Sequence, residues 1–580
     1  MAKRMMQADV IEEQSAATSE LAAAQTQAAQ LLRDAAAQMT IGLQTLQQTL
    51  DRMASNRGAG AIAPVAQGQI NAWEDDPFSE AIATEDPKDA TPIQVAIPVN
   101  NNPLLQTQID GPSPVPRIYA PRTPEFRYWT TTAAVARGVN FWAQFLPAGT
   151  RWTTFQDPMR VTLVAGEDLN ANYTRQFGLR FFQATVKGRD FFSSESPDVA
   201  CHELGHAILD AIRPELFDAA STETAAFHES FGDMSAILSA LQIDSLCEEV
   251  LRETGGRLNI NSRLSRLAEQ LGWAIRQLSP SAVDSDCLRN AANRFFYRNP
   301  DDIPPSTPAT QLSSEAHSFS RVFTGAFLDI LARMVNIVGP PSVDNLRTAG
   351  GQLAQLLIDG IRLANIVPTY YSQVAASMVQ ADRERFDGKF QVALMSSFAE
   401  RGILEPASVV GLAQAKMPRS VQQTAPLGVA APPTAPTLLT LGGESDGYLR
   451  TAHDAPELPI VPLRMGYFTL EVCPANEHPR FDVAPASLGV APASTRTAED
   501  DARAFVEDLI QLGRIDFEPA RGVVAPELMA PQASRPSKKT HTLVVIEGNK
   551  MRLRRLHFDC CGACCASRKN AGIVTGSQST

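Results

Sequence analysis

The sequence predicts an α+β protein in which a mixed-sheet lobe packs on a mainly helical lobe, with an N-terminal helical segment and a small C-terminal α/β module. Three observations predict it. Short β-branched and aromatic runs fall between residues 159 and 182, helical apolar spacing dominates from 222 to 405, and a Pro-rich stretch lies on either side of this region. At 580 residues the chain exceeds one compact unit, and 44% hydrophobic residues are ample for a core. A net charge of −12 argues against a nucleic-acid or anionic-membrane partner.

Residues 1–57 are rich in Ala and Gln, with Leu43, Leu46, Leu50 and Met53 at helical spacing. They read as one or two helices open to self-association. The first residues carry charges but no apolar h-region, so no secretory signal is expected. The chain is therefore expected to start in the cytoplasm, with export by a signal-independent route left open. No uninterrupted apolar run reaches the roughly 18 residues of a membrane span. Residues 58–121, rich in Pro, Asn, Asp and small side chains, read as an extended linker, with a cleft-covering segment as the second reading.

Residues 122–405 form the principal domain. Met159–Ala165 and Gly178–Phe182 read as strands, and a helix over about 197–212 is stopped by Pro214. Further helices are expected at Ser318–Val338, Ser342–Leu363, Tyr370–Gln380 and Phe390–Leu404. Residues 406–445 are a second, Pro/Ala-rich linker. The module follows at 446–559, with a strand at Gly466–Val472, a helix at Thr497–Leu512 and a hairpin around Gly548-Asn549. Nothing in the module points to a chemistry. The tail 560–580 holds Cys560, Cys561, Cys564 and Cys565. Cys561-x-x-Cys564 could be half a metal site or a redox pair, and the plainer reading is an exposed tail of thiols. Cys201, Cys247, Cys287 and Cys473 form no disulfide framework.

The helix at 197–212 carries His202-Glu203-Leu204-Gly205-His206, an H-E-x-x-H sequence. Imidazoles four residues apart lie about 40° apart around a helix and roughly 6 Å apart along it. Both can reach one ion, and imidazole nitrogen is a preferred zinc ligand. Glu203 lies next to the first imidazole, where a carboxylate can take a proton from a metal-bound water. The plainer reading is an amphipathic helix with two satisfied histidines. A catalytic zinc needs a third protein ligand and an open position. Downstream, Ser221 is a plausible N-cap for a largely buried helix on which Glu229 and Asp233, four apart, share a face. Glu229 suits the metal, and Asp233 suits the outer N–H of a ligand histidine. His228 competes for the third-ligand place but points about 100° away from Glu229 around the helix.

These residues together resemble the gluzincin peptidases, specifically the thermolysin-like branch. Asn170-Ala171-Asn172-Tyr173 resembles the family's substrate-binding edge strand, and Asp198-Val199-Ala200-Cys201 resembles its Asp-Val-Val-Ala. Ala316-His317-Ser318-Phe319-Ser320 resembles the segment with its transition-state histidine, and Leu288-Arg289-Asn290 the element whose arginine holds a substrate carbonyl. The plainer readings are a surface arginine and a loop histidine. The resemblance spans roughly residues 125–405. It implies a zincin-like catalytic domain with zinc in the cleft on His202, His206 and Glu229, and Glu203 as general base. His317 and Arg289 would then stabilise the transition state and substrate, Asn172 and its strand would bind substrate backbone, and Asp233 would orient a ligand histidine. The implied activity is a zinc metalloendopeptidase acting on proteins or peptides.

The chain departs from this pattern in places. Residues 207–228 contain no Tyr where the family has an oxyanion donor; Phe217 stands in that stretch and cannot donate. Asp198 matches one calcium-ligand position, but no acidic cluster that would hold calcium is evident. A catalytically weak zinc-binding scaffold is therefore the rival reading. An aminopeptidase would need an acidic cluster to capture a free amine, and none is placed by the sequence.

Overall fold

The computed structural model describes residues 68–80, 86–414, 458–465, 468–481, 497–520, 538–547 and 550–560, all within the compact unit Gly68–Thr580. The expected helices of residues 1–57, nearly all of the linker 406–445, the turn Gly548-Asn549 and the cysteines beyond Cys560 lie outside the described residues.

In chain order the principal strands are β1 (Gln69–Ala72), β2 (Ile93–Ala96), β3 (Thr107–Ile109), β4 (Met159–Thr162), β5 (Ala171–Thr174), β6 (Gly178–Phe181), β7 (Gln183–Val186), β8 (Arg189–Phe192), β9 (Arg266–Leu267), β10 (Arg289–Asn290), β11 (Val461–Met465), β12 (Phe468–Val472), β13 (Ile515–Asp516), β14 (His541–Glu547), β15 (Lys550–Arg555) and β16 (Phe558–Asp559). The principal helices are α1 (Pro124–Trp142), α2 (Pro197–Ile212), α3 (Thr222–Ala240), α4 (Glu269–Leu278), α5 (Ala316–Val338), α6 (Val343–Leu363), α7 (Tyr370–Phe386), α8 (Gln391–Glu400) and α9 (Ala498–Gln511). The mixture of helix and sheet is α+β, as expected.

The first sheet has the order β16-β5-β6-β4-β3. Strands β3, β4 and β6 run parallel, while β5 is antiparallel to β6 and β16 antiparallel to β5. The second sheet, order β11-β12-β15-β14-β13, belongs to the C-terminal module. Its apolar face (Leu463, Leu470, Leu543, Met551) packs on Phe505, Val506 and Leu509 of α9 and reaches Ala220 and Ala225 at the start of α3.

Helix α2 begins on Ser196, whose hydroxyl accepts the Val199 N–H at 3.4 Å, with Pro197 at its first position and Asp198 in the first turn. It stops before Pro214, which cannot continue a helix. Helix α3 is buried along its whole length, between α2 and α5. Ser221 stands at its N-cap, but the hydroxyl makes no capping bond.

Residues 68–121 differ from the extended linker expected there. Ile70, Ala72, Trp73 and Phe78 are buried, β1 and β2 pair antiparallel, and Ile70 and Ala72 pack on Trp129 and Ala133 of α1. The Trp73 N–H donates to Thr130 Oγ1 at 2.9 Å. Abundant Pro and Asn masked a short apolar run, Ile70-Asn71-Ala72-Trp73, that gains burial only against a distant helix. Among the described residues no helix is long and apolar enough to cross a membrane.

Candidate metal centre and cleft

His202 and His206 project from α2 and Glu229 from the facing helix α3. Two glycines let these helices touch. A Cβ on Gly205 would lie 2.9 Å from the Gly232 Cα, and one on Gly232 would lie 2.6 Å from the His202 ring. His202 Nε2 stands 3.4 Å from Glu229 Oε2, and His206 Nε2 stands 3.8 Å from Glu229 Oε1. One ligand atom from each of the three lies within 4.8 Å of the others.

The donor set fits a cation. Among the described residues, His202 Nε2, His206 Nε2 and both Glu203 oxygens are buried without a hydrogen-bond partner. Leaving a buried polar group unpaired costs about 1–3 kcal/mol each, more when it is charged. Two such nitrogens and a carboxylate around one point are better explained by an ion than by accident. Two imidazoles and one carboxylate are also an established zinc set, and Glu203 is left over as a further carboxylate beside it.

A second layer of partners fixes the rings. Asp233 Oδ1 lies 3.0 Å from His202 Nδ1, and Arg289 donates to the same carboxylate at 2.7 and 3.2 Å. Burial would raise the Asp233 pKa, but Arg289 and His202 hold it well below the usual carboxylate range. Burial likewise lowers His202, yet Asp233 and Glu229 outweigh it and raise the ring to about 9. A cation would take the place of that proton. His206 Nδ1 meets His228 Nδ1 at 3.1 Å, so one ring must donate and the other accept. Both rings are held well below the ordinary histidine pKa, chiefly by burial and then by surrounding positive charge. Burial, with Glu229 nearby, pushes Glu203 up to about 8.

Arg289 arrives on the ribbon β9–β10, opposite Leu267. His317 sits in the first turn of α5. Glu315 caps that helix by accepting the His317 and Ser318 N–H groups at 3.0 and 3.2 Å, and its other oxygen lies 2.7 Å from His317 Nδ1. His317 Nε2 is thereby aimed at the centre, 3.2 Å from Glu229 Oε2. Burial lowers the His317 pKa, but Glu229 and Glu315 raise it to about 10. Phe217 is buried 5.5 Å from the Phe558 ring and presents no donor.

The structure brings His202, His206, Glu229, Asp233, Arg289 and His317 together, sets Glu203 near His202 and Glu229, and leaves Asn172 apart on β5. Asn172 stands opposite Asp559 in the β5–β16 ladder, but its side-chain oxygen makes no hydrogen bond among the described residues. Asn170 makes the side-chain contact, from Nδ2 to Asp559 Oδ2 at 3.3 Å. Sequence reasoning also missed Glu315, because glutamate is not among the residues that usually mark an N-cap. It weighed His228 as a rival third ligand and did not find it as the partner of His206.

An acidic cluster absent from the sequence reading is present in the structure. Asp76, Asp198 and Glu269 are buried and offer ligand atoms within 4.8 Å of one another. Asp76 comes from the segment expected to be a linker, which is why residue spacing could not reveal the cluster. Asp76 and Asp198 accept backbone N–H groups from Gln270 and Ala268 at 2.8 and 3.0 Å, and one Glu269 oxygen has no hydrogen bond.

The site thus gathers a possible metal-binding group of two imidazoles and a carboxylate, a neighbouring carboxylate and two cationic side chains. The chain is correspondingly similar to fungalysin metallopeptidases (M36), a zinc peptidase family of the thermolysin-like type, over residues 289–407. That stretch begins at Arg289, includes His317 and runs through α8. The H-E-x-x-H helix lies before it. A search of curated proteins finds no match.

Proposed function

We propose that the protein is a zinc-dependent endopeptidase, built as a sheet lobe and a helical lobe around a thermolysin-like cleft, that hydrolyses protein or peptide substrates. His202, His206 and Glu229 would hold zinc, while Asp233 and His228 fix the tautomers of the two imidazoles. When bound, zinc supplies a Lewis acid and lowers the pKa of its water towards about 7.

The remaining work falls to the chain. Glu203, buried and free of hydrogen bonds, takes the water's proton and passes it to the leaving amine. His317, oriented by Glu315, donates from Nε2 to the developing oxyanion. Arg289, held by Asp233, binds the next carbonyl. The edge of β5 with Asn172 pairs with substrate backbone, and Asn170 adds a side-chain contact. Phe217 adds no donor beside His317, and one missing oxyanion donor typically costs on the order of 100-fold or more in rate.

The observation that carries this reading is the meeting of His202, His206 and Glu229 from two helices with Glu203 unbonded beside them. Purified Glu203→Gln should keep its zinc and lose chelator-sensitive hydrolysis of casein or a peptide library by about 10²–10⁴-fold. Wild-type-like turnover by that variant would refute its role as base, and a wild type that binds no zinc would refute the whole reading.

A further inference from the structure

The metal-ligand cleft is already occupied by a stretch of the chain itself. Strand β16 closes the edge of β5, with Phe558 opposite Tyr173 and Asp559 opposite Asn172. The pairing continues one residue further, where the Cys560 N–H donates to the Ala171 carbonyl at 3.2 Å. The two carbonyls that flank one peptide bond then meet the two cationic groups of the site. The Asp559 oxygen lies 2.5 Å from His317 Nε2, and the Cys560 oxygen accepts from Arg289 Nη1 at 2.6 Å. The neighbouring side chains are gripped too. The Asp559 carboxylate lies 3.3 Å from Asn170 Nδ2 and 3.6 Å from Arg514 Nη1. The Cys560 thiol contacts Asn170 Oδ1 at 3.3 Å, and the Phe558 ring stacks on His228 at 3.9 Å and His206 at 4.9 Å.

An ordinary structural strand would not need this pattern. Backbone pairing would suffice to close an edge, yet here the carbonyls of two consecutive residues are drawn to side chains that themselves rest on site carboxylates. Asp233 holds Arg289, and Glu229 and Glu315 flank His317. A peptide held by edge pairing, with its carbonyl at an oxyanion donor and the next carbonyl on an arginine, is placed as a substrate is.

We propose that the Asp559–Cys560 bond is the protein's own substrate, cut within the same molecule, an inference that rests on the endopeptidase reading above. Water adds across the amide. Its oxygen joins the Asp559 carbonyl carbon, the C–N bond breaks, and both water protons end on the Cys560 nitrogen, the first carried there by Glu203. The products are a chain ending in the Asp559 carboxylate and a peptide of residues 560–580 with Cys560 as its free N-terminus. No oxidant or second reactant is needed.

Intact-mass measurement of the full chain tests this. Zinc-loaded wild type should yield the form ending at Asp559 together with the 560–580 peptide. Cleavage should be first order, with a rate constant unchanged over a 100-fold range of protein concentration, and Glu203→Gln should stay whole. Zinc-bound wild type that remains full length, or is cut at another bond, overturns the proposal. Hydrolysis of an added peptide by that same uncut protein would leave the endopeptidase reading standing, whereas absence of bound zinc would remove both. A second measurement needs no metal. In chelated Glu203→Gln, alkylation of Cys560 followed by peptide mapping should be at least tenfold slower than in the urea-unfolded chain, and Phe558→Ala should speed it. Equal rates in the folded and unfolded states would show that Cys560 does not lie in the groove.

Discussion

At the residue scale the site depends on which atoms are left without partners. His202 and His206 each spend Nδ1 on a neighbour, Asp233 or His228, and keep Nε2 free of hydrogen bonds. That division fixes one lone pair per ring towards the centre. Asp233 is the more exposed to test because it serves two masters, His202 and Arg289. Asp233→Asn keeps the shape and removes the charge, so zinc affinity should fall about 10–100-fold. Competition with a chromophoric chelator reads this directly, and unchanged affinity would mean that Asp233 does not orient the ring. His202, Glu203, His206, Glu229 and Asp233 were legible because helical geometry turns a spacing of four into a shared face. Asn170 and Glu315 were not, because their roles depend on which neighbour a loop or a helix start brings to them. His228 illustrates the same limit. Its bearing on the helix argued for Glu229 as the third ligand, but only the packing of α2 on α3 shows that His228 meets His206.

At the element scale the decisive feature is how closely α2 and α3 approach. Gly205 and Gly232 face each other across the contact, and the His202 ring lies directly over Gly232. A methyl group at 232 would have to occupy the place of the ring, whose Nδ1 lies 2.6 Å from that Cβ position and is the atom held by Asp233 and Arg289. Gly232→Ala is therefore expected to turn His202 away from the centre. Overpacking of this kind typically costs about 1–3 kcal/mol. Zinc content after dialysis should drop well below one per chain, with a lowered melting temperature; stoichiometric zinc in the variant would show that the helices can separate without cost. Elements with strong periodicity (α2, α3, α5, α6) were legible from the sequence to within a few residues. Strands β1 and β2 were hidden in Pro- and Asn-rich sequence, since four-residue strands offer too little alternation to stand out. The Asp76–Asp198–Glu269 cluster was hidden for the same reason, because it exists only once that segment folds back.

At the scale of the whole molecule, the C-terminal module acts as the device that presents β16 to the cleft. It is seated on the start of α3 through Ala220 and Ala225 and tied across by Ala220 N–H to the Cys473 carbonyl at 2.8 Å and Lys538 to Asp168 at 3.1 Å. Arg555, the last residue of β15, lies over the Phe558 ring at 4.2 Å and donates to the Phe217 carbonyl at 2.9 Å, so the short step into β16 is held from both sides. The sequence showed the module but not this purpose, because a two-residue strand paired with a partner nearly 390 residues away leaves no local pattern. An external substrate must compete with β16 for the same edge of β5. The apparent affinity of a site that is open only part of the time falls in proportion to the open fraction. Phe558 is the largest apolar anchor of β16, and burying a phenylalanine contributes about 1.5–3 kcal/mol, with ring stacking adding about 0.5–1.5. Phe558→Ala should therefore enlarge the open population by at least tenfold. In a steady-state assay with an added peptide this would lower KM about tenfold or more while leaving kcat within about threefold, since Phe558 touches neither the base nor the oxyanion donor. Identical KM values for wild type and variant would mean that β16 yields the groove without cost and does not govern access to the site.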